Sequence, residues 1–335
     1  MTSQELMDEF YNQPLYMSYS ALNKLIYSPR LYHKDYILKQ KEEEHLPHLI
    51  EGKLTHCLLL EEDKFNEQFV IAPMNLPSDN AMKVIEAVYR IHIEAPFDSN
   101  GNKKTIGSYG SEIISILQSV NLYQSLKTDS QRLDKIITSE GIAYFNFLEL
   151  QTGKQLIDID TYNRCKDAAD AIKKHREASD LLGIYTNEMY EGTIINEYYM
   201  QSELAKYSFG VKGVIDNLHI SHQDRVIYIN DVKKTNKSLK DFPDSIETFN
   251  YWLQASIYKE LVINNMLTLV AQGYSIKFNF IVIDRYNSVY CFEVSGETFI
   301  EWDKRMYQIL QEAEWHYKNR NYDLPYALAS TKFIL

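Results

Sequence analysis

The chain has 335 residues, 45% of them hydrophobic and 24% charged, which excludes a largely disordered protein and fits one large domain or two modest ones. Its formal net charge is −11, from 46 acidic and 35 basic residues. That balance argues against non-specific coating of nucleic acid but leaves room for a local basic groove.

No apolar run approaches the roughly 18–20 residues that span a bilayer, so no membrane role is expected. The opening MTSQELMDEFYNQ is acidic and polar, unlike a signal or transit peptide. Cys57, Cys165 and Cys291 are scattered and odd in number, which offers neither a disulfide framework nor a zinc or iron–sulfur spacing. A reducing, intracellular setting is expected. In chain order, Ser18-Tyr19-Ser20-Ala21-Leu22 predicts a capped helix start with Leu22, Leu25 and Ile26 as its apolar stripe. Ser28-Pro29 breaks it, and a second helix is predicted from Arg30 to Lys41. Gly52 to Leu60 predicts a short apolar helix that carries His56. Residues 74–135 have the pattern of a helical insertion, with Ala81, Val84, Ile85 and Val88, then Ile113, Ile116, Leu117 and Val120, at helical spacing. Pro96 to Asn102 is a loop between them. A long amphipathic helix follows over Ile159–Ala178, with aspartates at its start and Lys173, Lys174 and Arg176 near its end, as the macrodipole favours.

The pattern then changes. Thr193–Ser202, Ser208–Ile220 and Val226–Lys233 have strand character and short polar turns. A helix over 249–266, a strand pair over Ile276–Ile283 and Ser288–Val294, and a closing helix over Phe299–Asn319 complete the chain. The order predicts an α/β or α+β core, a sheet flanked by helices.

The most informative stretch is Gly213-Val214-Ile215-Asp216 followed by Asn230-Asp231-Val232-Lys233. Side chains alternate along a strand, so Asp231 and Lys233 share a face, as do Lys212, Val214 and Asp216. The turn Ser221-His222-Gln223-Asp224-Arg225 centres the hairpin between 223 and 224, which sets Asp216 opposite Asp231. Like charges there repel unless a cation lies between them. Two carboxylates plus water suit Mg²⁺ or Mn²⁺. Two solvated surface aspartates, one neutralised by Lys233, are the plainer reading of the hairpin alone. Gln254 and Tyr258 lie four apart on one helix face. His56 by itself is an ordinary core histidine; beside the acids, its imidazole is a natural further ligand.

Taken in order, Gly52-x-x-x-His56, Gly213-x-x-Asp216, Asp231-x-Lys233 and Gln254-x-x-x-Tyr258 resemble the motif series of the PD-(D/E)XK nuclease superfamily. More narrowly they look like its RecB-like and phage exonuclease branches. Ser18-Tyr19-Ser20-Ala21-Leu22, Ser28-Pro29-Arg30-Leu31-Tyr32, Glu51-Gly52-Lys53-Leu54-Thr55-His56, and the stretch from Leu60-Glu61 to Phe69-Val70-Ile71-Ala72-Pro73 are similar to the opening of RecE-type exonucleases, the exonuclease VIII nuclease domain. The resemblance covers roughly residues 15–73 and 190–325 and leaves out 74–135. It implies a single nuclease domain over 1–335 with a restriction-endonuclease-like core, a central mixed sheet flanked by helices, and 74–135 as a helical insertion within it. The second acid of the signature is Asp231 rather than Glu. The four cysteines that some RecB-like relatives use for an iron–sulfur cluster are lacking, as is a Walker A motif.

The resemblance further implies metal-dependent hydrolysis of DNA. Asp216, Asp231, His56 and the Val232 carbonyl would hold Mg²⁺ or Mn²⁺. Lys233 would orient or help deprotonate the attacking water and offset transition-state charge, and Gln254 and Tyr258 would position the site or touch DNA. Glu197 lies on the strand before Asp216, from which it can face the site. Residues 201–240 hold seven Lys/Arg against four Asp/Glu. Ser18, Ser20, Lys24, Arg30, Lys34, Lys212, Lys234, Thr235, Lys237 and Lys240 are candidate DNA contacts, with a solvated surface as the ordinary alternative for each lysine. The expected activity is a phage or prophage-encoded exonuclease in the bacterial cytoplasm, acting on double-stranded DNA ends, 5′ to 3′, for recombination or repair. Its partners would be a single-strand annealing protein and, since relatives form rings, further copies of itself in a homo-oligomeric ring. The rivals are a RecB-like endonuclease or flap nuclease, and a catalytically inactive DNA-end-binding protein on the nuclease fold.

Overall fold

The computed structural model describes residues 9–10, 12–13, 15–41, 47–185 and 190–331. Most of the acidic opening read from the sequence therefore lies outside the described residues. The chain divides into two compact units, one of residues 1–61 and 167–335, the other of Glu62–Lys166.

The first unit is a mixed α/β structure with a six-stranded sheet. Strand β1 is Tyr16–Ser18, β2 Gly192–Ser202, β3 Gly210–Ser221, β4 Val226–Lys234, β5 Ser275–Ile283 and β6 Val289–Val294. Their order is β1-β3-β4-β5-β6, with β2 also paired to β3. The β2–β3, β3–β4 and β5–β6 pairs are antiparallel, whereas β1–β3 and β4–β5 are parallel, so the sheet is mixed. Around it lie helices α1 (Tyr19–Tyr27), α2 (Pro47–Leu60), α3 (Arg176–Leu182), α4 (Tyr251–Asn265) and α5 (Gly296–Asn319).

Local chemistry sets these boundaries. Ser18 Oγ accepts from the Ala21 N–H at the start of α1, and Ser28, followed by Pro29, restarts the chain as a second short helix. That second helix is shorter than the sequence predicts. It runs from Pro29 to Tyr32, widens into a π turn over His33–Ile37, and is over by Lys39, whose φ is +56°. The predicted helix Ile159–Ala178 is likewise cut, because the His175 ring accepts from the Ala178 N–H and caps a new helix, α3. The helix predicted over 249–266 begins only at Tyr251, after Asn250 takes up a left-handed φ of +55°.

One face of the sheet carries Leu218, Ile220, Ile227, Ile229, Phe278 and Phe280 into the main core, against Trp252, Leu253 and Ile257 of α4 and Met306 and Leu310 of α5. The β3–β4 hairpin has the register its turn predicts, from Ser221 opposite Val226 to Asn217 opposite Asn230. Along one edge, β3 pairs with β2 from Val211 to Ser221. Along the other it meets β1 at Gly210–Lys212 and β4 at Asn217–Ser221. Residues 213–216 lie where those two neighbours part.

The second unit has a core of its own. Val84, Ile85 and Val88 of helix Asp79–Glu94 pack with Ile113 and Leu117 of Gly110–Ser119 and Phe145 of Ser139–Leu150. Val120, predicted to join that stripe, is the helix C-cap and is exposed. Strands Phe69–Ile71 and Gln155–Ile157 pair in parallel. Among the described residues, no helix is long and apolar enough to cross a membrane.

The glycine at the parting of the strands is required by packing. A Cβ on Gly213 would stand 2.7 Å from Cε1 of the buried Tyr258 ring and 3.3 Å from Leu261 Cδ1. Gly213→Ala should therefore destabilise the protein by about 1–3 kcal/mol, seen as a lower urea midpoint with an unchanged slope. An unchanged midpoint would mean that α4 yields at no cost.

Candidate functional site

Three acids line up across neighbouring strands. β2 and β3 pair Asn196 with Asn217 and Tyr198 with Ile215, which puts Glu197 opposite Asp216. β3 and β4 pair Asn217 with Asn230, which makes Asp216 and Asp231 the next positions in register. Alternation puts Asp231 on the core face with Ile229. Between the core-facing pairs Tyr198–Ile215 and Ile195–Leu218 it breaks, and Glu197 and Asp216 stand at that break. The Asp216–Asp231 position forms no backbone ladder pair. Instead Asp216 Oδ2 accepts the Val232 N–H at 2.8 Å, so the carboxylate takes the place of a strand carbonyl where β3 and β4 diverge.

Glu197 sits mid-strand with a φ of +47°, a region that side chains of its kind rarely adopt. Such local strain is held only where the surroundings fix it, and it is concentrated at functional sites. The Glu197 Oε1 lies 3.5 Å from His56 Nδ1. The same nitrogen is 3.7 Å from Asp216 Oδ2, and His56 Nε2 donates to the Val232 carbonyl at 2.9 Å. The half-buried His56 ring thus meets two acids and the strand that carries the third. Burial pulls its pKa down, but Asp216 and then Glu197 outweigh it and lift the imidazole to about 9.

Asp231 is fully buried, and its Oδ2 lies 2.6 Å from Lys233 Nζ. Beyond that ion pair, neither of its oxygens has a hydrogen-bond partner among the described residues. Burial pushes its carboxyl up to about 6 against the opposing pull of Lys233. Burial also raises the Asp216 carboxyl, opposed by His56 and Lys233. For Lys233, burial favours the neutral amine, yet Asp231 and Asp216 more than reverse this and hold it as an ammonium.

The donor set fits a divalent cation. His56, Glu197 and Asp216 each offer a ligand atom, and these atoms lie within 4.8 Å of one another. One imidazole nitrogen and hard carboxylate oxygens suit Mg²⁺ or Mn²⁺. The structure brings His56, Asp216 and Val232 together as the sequence predicts. It turns Asp231 to Lys233, and it places Glu197 with His56 and Asp216.

Gln254 Nε2 donates to Tyr258 Oη at 3.0 Å, and both side chains are buried. Gln254 Oε1 is buried with no hydrogen-bond partner among the described residues. Two aromatic neighbours of Lys233 escaped the sequence reading. Its ammonium lies 4.9 Å from the centre of the Tyr251 ring. The Tyr19 hydroxyl donates to the Phe249 carbonyl, and burial raises its pKa while Lys233 opposes the rise. A signal for Tyr251 existed, since it precedes Gln254 by three residues and Tyr258 by seven, on one helix stripe. Tyr19 had none beyond its place beside the Ser18 cap.

The candidate DNA contacts scatter. Ser18 caps α1 and lies 2.9 Å from Ser20 Oγ. Lys24 pairs with Asp35 at 3.2 Å, Arg30 approaches Asp323 at 3.9 Å, and Lys234 pairs with Glu51 at 2.8 Å. Lys34 is half-buried in the π turn. Lys212 is buried and donates to the carbonyls of Phe10 and Gln13, at 2.7 and 3.2 Å. Thr235 Oγ1 accepts from the Lys237 N–H, and the side chains of Lys237 and Lys240 are exposed.

No family model matches the chain. No curated protein matches it either. Among solved structures, it is similar to the crystal structure of a protein named "Putative exonuclease" from Eubacterium rectale. The two are 13% identical, with a TM-score of 0.46 over 97% of this chain and 88% of that one. A likeness this distant leaves activity to be read from the chain's own geometry.

Calorimetric titration with Mn²⁺ should detect one site per chain, and Asp216→Asn or Glu197→Gln should each weaken it by about tenfold or more. Wild-type affinity in either folded variant would remove that residue from the ligand set.

Proposed function

We propose that this protein is a metal-dependent deoxyribonuclease, an exonuclease that hydrolyses phosphodiester bonds from double-stranded DNA ends. The observation that carries the reading is the convergence of His56, Glu197, Asp216, Asp231 and Lys233 on one patch of the sheet. Asp216, Glu197 and His56, with the Val232 carbonyl and Asp231 beside them, would hold Mg²⁺ or Mn²⁺. When bound, that cation supplies an acidified water and positive charge for the phosphate oxygens.

The chain's own residues complete the chemistry. Lys233, held charged by Asp231, orients the attacking water and offsets the negative charge that gathers on the phosphate. The Tyr251 ring beneath its ammonium fixes that orientation without neutralising it. Gln254 presents a carbonyl oxygen with no hydrogen-bond partner among the described residues, available to accept from a water. The motif series His56, Asp216, Asp231-x-Lys233 and Gln254-x-x-x-Tyr258, in this order, supports the RecE-type branch of the PD-(D/E)XK superfamily. In that branch the polarity would be 5′ to 3′ and the role phage-type recombination or repair, inside a bacterial cell. The single strand so exposed calls for an annealing protein as partner, and a ring of copies around the duplex would keep the enzyme on its substrate.

Digestion of a linear, 5′-phosphorylated duplex in Mg²⁺ and in Mn²⁺, with a closed circle beside it, tests the proposal. The linear duplex should be degraded and the circle left intact, and Lys233→Ala should lower the rate by about 10²–10⁴. Cutting of the circle would replace the exonuclease with an endonuclease. A folded protein that binds Mn²⁺ and DNA ends but cuts neither substrate would be a binding protein.

A further inference from the structure

Beside the acids, four asparagines on neighbouring strands join side chain to side chain. Asn279 Nδ2 on β5 donates to Asn230 Oδ1 on β4 at 2.9 Å. Asn230 Nδ2 donates to Asn217 Oδ1 on β3, and Asn217 Nδ2 to Asn196 Oδ1 on β2, each at 2.8 Å. Asn196 Nδ2 then donates to the Leu60 carbonyl at 2.8 Å. Asn217, Asn230 and Asn279 are almost wholly buried. The spare amide hydrogens of Asn217 and Asn230 reach the carbonyls of Leu182 and Leu181 at the end of α3.

We infer that this asparagine ladder sets the acids in line, so that Asn196, Asn217, Asn230 and Asn279 are positioning residues for the metal site. The inference rests on the proposed metal-dependent reading. Its ground is adjacency in the chain. Asn196 precedes Glu197, Asn217 follows Asp216, and Asn230 precedes Asp231. A strand that slipped by one residue would carry its acid out of line with the acids of its neighbours. The ladder opposes that slip, because every buried amide in it would lose its partner. It also ends on the helix that carries His56, four residues beyond that ring. One continuous chain of hydrogen bonds therefore ties the elements bearing His56, Glu197, Asp216 and Asp231.

A plainer role would be to satisfy the last carbonyls of α3. That involves Asn217 and Asn230, with His219 Nδ1 also donating to the Leu181 carbonyl at 2.8 Å. It gives no reason for Asn196 or Asn279, neither of which bonds to α3 in the ladder, and aliphatic side chains would pack there without buried amides to satisfy.

The reporter is the Val232 amide, whose hydrogen bond to Asp216 exists only when β3 and β4 are in register. Asn230→Asp keeps the shape and removes both donors. Native-state hydrogen exchange at Val232 should accelerate about tenfold or more relative to Ile257 in α4, and Mn²⁺ affinity should fall by a similar factor. Ser256→Ala, which removes a buried hydroxyl with no hydrogen-bond partner among the described residues, should move neither ratio. Should Asn230→Asp fail to fold, Asn279→Ala, which removes only the first donor, should still give about a threefold change in both. Unchanged Val232 exchange in a folded variant, or equal acceleration at Val232 and Ile257, would overturn the inference. A wild-type protein that neither binds Mn²⁺ nor cuts DNA would refute the nuclease reading while the exchange ratio still judged the ladder.

Discussion

The hydrogen bond from the Val232 amide to Asp216 is the contact on which the rest of the site depends. It lies where two strands separate, and there a backbone amide would otherwise be left buried without a partner, at a cost of roughly 1–3 kcal/mol. A carboxylate supplies the missing acceptor. The consequence is a buried anion fixed between two strands, where water solvates it poorly. His56 and Lys233 compensate it, and their positions follow from that need as much as from any chemistry.

The same gap explains the glycine and the tyrosines. Because β1 and β4 leave β3 uncovered at 213–216, a helix can approach closely, and the Tyr258 ring fills the space over Gly213. The α4 helix thereby brings Gln254 and Tyr251 over the strand ends. Tyr251 and Tyr19 flank the Lys233–Asp231 pair with rings that do not discharge it. A shielded ion pair beside a partly open acid–imidazole cluster separates one group held charged from others free to take a ligand.

Much of this was legible in the sequence. Strand alternation and the Ser221–Arg225 turn fix the hairpin register because both are local rules, and the ladder from Ser221–Val226 to Asn217–Asn230 obeys them. The strands and the closing helix fall close to their predicted bounds for the same reason. Glu197 was visible only as a residue on the right strand, since a left-handed backbone in mid-strand carries no signature in a glutamate. The split at His175 escaped because a histidine cap looks like an ordinary polar residue in a helical stripe. Lys212 illustrates the opposite failure. Its charge suggests a surface, yet the carbonyls of Phe10 and Gln13 bury it, a contact between positions far apart in sequence.

The placement of the Glu62–Lys166 unit within the chain of the other unit has a temporal consequence. The helix bearing His56 precedes that unit, and every strand that carries an acid follows it. His56 and its Val232 partner are 176 positions apart, and Asn196 and Leu60 are 136 apart. A ribosome adding about 5–20 residues per second finishes the α2 helix many seconds before its partners emerge. Closing so long a loop is slow, and the contacts that reward it are the last to form. The reactive cluster therefore cannot assemble until the chain has passed Lys233, long after the helix that carries His56 is made.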